Sequence, residues 1–153
     1  MPTIELVAID CRAIPDLPSY QSFAYRVDTQ LESDRALFQP VFEALNGIMI
    51  HLANKDFEGD DNGPWFAGAI MDWTQTGSHC KQVLIFLPET RDEIIDLMQR
   101  LLCASPQHRI TFSTDYQFGG ERRICSEITL ADFVNLHDQR SLRYNELYFI
   151  RSS

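Results

Sequence analysis

Residues 83–102 read VLIFLPETRDEIIDLMQRLL, and the change of pattern within them decides the fold class. Val83 to Leu87 is a short unbroken apolar run closed by Pro88, the mark of a strand buried on both sides. Directly after it, Ile94, Ile95, Met98, Leu101 and Leu102 recur at helical spacing. Thr90 and Glu93 form a T-x-x-E capping box at the start, and Pro106 lies past the end. A strand followed at once by an amphipathic helix sets the theme for the rest of the chain.

Working outward, Thr3–Ile9 is rich in β-formers. Phe23, Tyr25 and Val27 alternate with Ala24, Arg26 and Asp28, which predicts a second strand. Ser33-Asp34 opens a stripe through Phe38, Val41, Phe42, Leu45, Ile48, Met49 and Leu52, which predicts a long helix that Pro40 kinks or starts afresh. Trp65–Trp73 reads as a strand. A hairpin turning at Gly119-Gly120 is expected to join Arg109–Phe118 to Glu121–Ile128, with Arg122-Arg123 at its tip. Thr129 and Asp132 form a second capping box before a short helix, and Glu146–Ile150 closes the chain as a strand. The expectation is one α+β domain over 1–153: a mainly antiparallel sheet of six to seven strands, two longer helices and one short helix.

The chain carries a net charge of −9, with a pI near 4.7, and the excess is uneven. Residues 1–76 hold 12 Asp/Glu against 4 Lys/Arg, a net of −8, and residues 77–153 hold 10 against 9. Such acidity argues against nucleic acid or an anionic membrane as the partner, because phosphate binding needs a basic footprint. No apolar run is long enough to span a bilayer, and the N-terminus lacks the basic and apolar regions of a signal peptide, so the cytoplasm is the expected location. Cysteines 11, 80, 103 and 125 form no CxxC pair and read as reduced, mostly buried thiols.

The densest carboxylate cluster, Asp56, Glu58, Asp60 and Asp61, runs through Asn62-Gly63-Pro64 into Trp65 and Phe66. A calcium loop starting at Glu58 fails, since position 12, where the closing Glu belongs, is Ala69. Zinc spacings are missing from the histidines at 51, 79, 108 and 137, and His79 and Cys80 point to opposite faces if they lie on a strand. No G-x-S-x-G elbow or phosphate cradle occurs. The reading is therefore of no catalytic residue, metal or cofactor. The carboxylates instead steer a basic protein, with Trp65 and Phe66 as anchors and Asp72 flanking them. Against this, aromatics at the spacing of Trp65, Phe66 and Trp73 are usually core.

With its segment DFEGDDNGPWF and its acidic, single-domain profile, the chain resembles the immunity proteins of bacterial toxin systems, contact-dependent growth inhibition among them. That resemblance implies one-to-one binding of a cognate basic toxin domain, such as a nuclease, by a monomer or weak dimer, with carboxylates standing in for nucleic-acid phosphates. An adaptor subunit of a larger bacterial assembly and a small-molecule enzyme or ligand-binding domain are the alternatives.

Overall fold

The computed structural model describes residues 2–28, 47–54, 69–76, 79–116, 123–144 and 146–153. In chain order the elements are β1 (Pro2–Ile9), β2 (Ala24–Asp28), β3 (Gly47–Ala53), β4 (Ala69–Thr76), β5 (His79–Phe86), α1 (Pro88–Ala104), β6 (Arg109–Tyr116), β7 (Arg123–Ile124), β8 (Ile128–Thr129), α2 (Leu130–Asp138) and β9 (Glu146–Arg151). Strands β2-β3-β1-β6-β9 pair antiparallel in that order. Two short strands then share the far edge of β9, both parallel to it, β7 against Glu146–Leu147 and β8 against Ile150–Arg151. Strands β4 and β5 form a separate antiparallel ribbon. The class is α+β, as expected, and the main sheet is mixed, mainly antiparallel with the two short strands β7 and β8 parallel to β9. Two helices occur among the described residues, and most of the helix expected from Ser33 lies outside them.

Strand β1 sits at the centre and is buried on both faces. Ile4, Leu6 and Ala8 pack with Ile48, Ile50 and Leu52 of β3, Ile110 and Phe112 of β6, and Ile94, Leu97, Met98, Leu101 and Leu102 of α1. On the other face Val7 and Ile9 meet Met49, Leu147 and the partly buried Phe149. A slip of one residue would carry Glu5 into the helix-side core, so this pairing fixes the register of the whole sheet. The five core positions of α1 are each no more than 3 % exposed. Each contributes roughly 1.5–3 kcal/mol relative to an exposed position.

Aromatic rings tie the ribbon to this frame. Phe86 of β5 meets Phe112 of β6 edge to face at 6.1 Å, Phe112 meets Phe133 of α2 at 4.8 Å, and Phe133 meets Tyr148 of β9 at 6.0 Å. Such tilted contacts add stability beyond the area they bury.

Four sequence expectations require correction. The helix drawn through Leu52 ends, at the latest, before Gly47, because 47–53 is strand β3; its residues 33–46 lie outside the described residues. Ile48-Met49-Ile50 is a run buried on both faces, and a short run of that kind satisfies helical spacing by coincidence. The hairpin at Gly119-Gly120 does not form as drawn. β6 is flanked by β1 and β9, which leaves no edge for the strand that follows it, and Arg123 enters β7 instead. The Thr90–Glu93 box is also replaced: Leu87 is the N-cap of α1, Pro88 takes the first helical turn, and Thr90 is buried. The Glu93 carboxylate instead accepts the backbone N–H groups of Gln21 (2.8 Å) and Ser22 (3.1 Å), tethering the loop before β2 to the helix. Finally, Cys103 is exposed and Cys125 only partly buried, while Cys11 is buried; none of the three is in a disulfide, and the Cys80 side chain lies outside the described residues.

The second capping box and strands β1, β2 and β9 hold, while the strand expected over Trp65–Trp73 is described from Ala69 to Thr76 and residues 65–68 lie outside the described residues. The Thr129–Asp132 capping box is complete, with Asp132 N–H donating to the Thr129 hydroxyl at 3.1 Å and Thr129 N–H to the Asp132 carboxylate at 3.2 Å. At Gly47 (φ +156°) a Cβ would lie 2.2 Å from the Ala8 carbonyl oxygen, across the β1–β3 pair. Gly47→Ala should therefore destabilise the fold by about 1–3 kcal/mol. Denaturant unfolding of the two proteins measures this, and equal midpoints would contradict the close approach.

Candidate functional site

Of the residues expected to bind a partner, Asp56, Glu58, Asp60, Asp61, Trp65 and Phe66 lie outside the described residues. Asp72 lies in β4, opposite Val83 of β5. What the structure does give is the framing of the acidic stretch. The strand before it ends at Ala53 in the main sheet, and the strand after it begins at Ala69 in the ribbon. β3 is held on both sides, by β1 and β2. The far end depends on how the ribbon is held, and the residues that hold it were not legible as a motif.

β5 pairs with β4 along one edge. On its other edge, Leu84 N–H donates to the Leu142 carbonyl at 2.9 Å, and Phe86 N–H donates to Nε2 of His137 at 3.0 Å. The His137 ring is buried and stacks on the Phe86 ring at 5.2 Å. Since Nε2 accepts, the ring proton of the neutral form sits on Nδ1, which donates to Asp138 Oδ1 at 2.9 Å. Arg91 of α1 completes the array with a two-pronged contact to Asp138, Nε to Oδ1 at 2.9 Å and Nη2 to Oδ2 at 2.8 Å, while its Nη1 reaches Asp92 at 2.7 Å. Forked arginine–carboxylate pairs of this kind are among the stronger polar contacts.

Three arginines of the second half pair with its own carboxylates. Besides the Arg91 fork, Arg100 binds Asp96 at 2.8 Å and Arg109 binds Glu127 at 2.6 Å. Tyr20 also donates to Asp96 at 2.8 Å; burial, then that carboxylate, pushes its hydroxyl pKa up. In the first half, His51 and Glu5 pair 3.3 Å apart across β3 and β1.

Two open grooves adjoin along the C-terminal half of α1. One, about 690 Å³, is lined by Asp10, Cys11, Arg12, Ile14 and Pro15 together with Pro106; the other, about 490 Å³, by Asp16, Asp96, Arg100 and Cys103. Ile14 is 64 % exposed at the rim. Elsewhere, the buried Glu146 carboxylate accepts from the Tyr148 hydroxyl and from the Cys125 thiol. Burial and this carboxylate hold the Tyr148 proton firmly in place. Among the described residues no three His, Cys, Asp or Glu side chains come together in a way that could hold a metal ion, and no helix is long and apolar enough to cross a membrane. Comparison with family models, curated proteins and solved structures finds no match.

The Arg91 fork, and after it the His137 N–H, hold the Asp138 carboxyl far below the usual carboxylate range. A depressed folded value means that the stabilisation is fully present above the unfolded value near pH 4 and is lost as pH falls through the folded one. Both partners are partly exposed, so its size is at most about 1 kcal/mol. The stability gap between the native protein and Asp138→Asn should be largest near pH 5 and shrink towards pH 2. Urea titrations across that range test it, and a constant gap would contradict the assignment.

Proposed function

We propose that this chain is a non-catalytic, acidic binding protein of the immunity-protein kind, acting in the cytoplasm to neutralise a basic toxin domain by covering its active site. The observation that carries the reading is the concentration of charge: a net of −8 in residues 1–76, with four carboxylates within residues 56–61. Two further features support it. Arg91, Arg100 and Arg109 of the second half pair with carboxylates of that half. The acidic stretch also lies between β3 and β4, strands that belong to two different sheets, and this restricts where its ends go.

In this reading Asp56, Glu58, Asp60 and Asp61 draw a cationic cleft towards the chain and occupy the places of substrate phosphates. Trp65 and Phe66 fill apolar ground beside it, and Asp72 on β4 adds a flanking charge. The carboxylates speed encounter and add affinity where close pairs are desolvated, while the aromatics slow dissociation. A nuclease is the natural target, because a cleft built for a polyanion is already complementary to such a surface.

Charge reversal separates this from a packing role. Asp60→Lys with Asp61→Lys should slow association with the cognate toxin domain at least tenfold and leave the thermal midpoint nearly unchanged. Stopped-flow or surface-binding kinetics on the purified pair measure it. Unaltered association would remove the stretch from the interface, and a collapsed midpoint would make these residues structural.

A further inference from the structure

Residues 10–23 run from β1 to β2 without helix or strand. A connection of that length inside a compact domain usually carries function. This one is held down at both ends. At its start the Gln107 amide donates to the Asp10 carboxylate, and the Cys11 thiol donates to the Ala13 carbonyl at 3.1 Å. At its end Tyr20 donates to Asp96, and the Gln21 and Ser22 N–H groups donate to Glu93. The Tyr25 hydroxyl also reaches the carbonyls of Leu17 (3.2 Å) and Pro18 (2.9 Å). Pro15 and Pro18 stiffen the span between.

What this frame presents is Ile14, 64 % exposed. A single exposed apolar side chain needs no explanation. Ile14 is not single, because Ala13, Pro15, Ala104 and Pro106 line the same groove. Arg12 lines that groove as well, and Asp16 lines the adjoining one. Both charged side chains are exposed, and they stand two residues before and two residues after Ile14. Among the described residues neither joins an ion pair, whereas Asp10 is engaged by Gln107 and Arg100 by Asp96. The patch therefore carries one available charge of each sign about an apolar centre. A half rotation about Ile14 exchanges the two signs, so the surface this patch complements is its own.

We propose that residues 12–16 are the centre of a two-fold contact between two copies of this chain, in which Ile14 meets its counterpart and Arg12 of each copy pairs with Asp16 of the other. The pairing is reciprocal, as such a contact requires. Ile14 supplies apolar burial, and the two charge pairs set the register. The frame around the loop lowers the cost of association, because the segment is already ordered. A contact centred on five residues per copy is small beside the roughly 20–30 per side of stable complexes, so the dimer is weak. Each copy carries a net charge of −9, which opposes approach. At physiological salt that repulsion is screened beyond about 8 Å. The contact uses none of residues 56–72 and does not rest on the toxin-binding reading.

The test is sedimentation of the full chain over a range of concentrations at physiological salt. The native chain should pass reversibly from monomer to dimer. Arg12→Asp sets like charges against each other at both pairs, as does Asp16→Arg, and each should weaken the dimer at least about tenfold. Asp16→Arg also reduces the net negative charge, so general repulsion alone would make that dimer stronger. Mixed one to one, the two variants should associate about as well as the native chain, since each then meets the opposite charge at both pairs. That recovery also shows that both variants are folded. Ile14→Ser should weaken the dimer with no recovery on mixing. A native chain that stays monomeric, variants that dimerise like the native chain, or a mixture no better than its components would each overturn the proposal. A monomeric chain that binds an oligolysine peptide, and loses that binding in Asp16→Arg, would overturn it in favour of a basic occupant.

Discussion

The constraint on which the rest depends is the burial of β1 on both faces. Ile4, Leu6 and Ala8 face α1, while Val7 and Ile9 face the opposite cluster, so β1 tolerates no change of register. β3 and β6 are set against it residue by residue, and β2 and β9 against them. Gly47 lets β3 begin close to the Ala8 carbonyl, and Ser105, just past α1, donates its hydroxyl to the Ile9 carbonyl at 2.7 Å, which pins the helix end to the same strand. The position of α1, and through Arg91 that of α2, follows from this strand.

The ribbon stands outside this ladder. It is joined to the frame by the Phe86–Phe112 contact, by Leu84 in the core and by the two outward amides of β5. In sequence the acidic stretch lies between β3 of the main sheet and β4 of the ribbon.

Much of this was legible in the sequence where the signal was local. The α1 stripe, the capping box of α2, and strands β1, β2 and β9 follow from periodicity and cap chemistry alone. The misreadings share a cause: each depended on a neighbour distant in sequence. Ile48-Met49-Ile50 becomes strand because β1 and β2 flank it, a fact no local window contains. β6 loses its expected hairpin because β9, returning from the far end of the chain, takes that edge. Glu93 forgoes its cap for the amides of Gln21 and Ser22, more than 70 residues away. His137 looked like an isolated histidine, and only the fold brings it to the Phe86 amide. The charge asymmetry, by contrast, is a property of composition and needed no fold to be seen.

The central claim is that this charge is directed outward at a basic protein. Its most direct test is affinity capture with the tagged chain from its host, followed by association kinetics with the captured protein at rising ionic strength. The account expects one stoichiometric basic partner whose on-rate falls steeply with added salt while its off-rate changes little. A neutral or acidic partner, or an on-rate indifferent to salt, would contradict it.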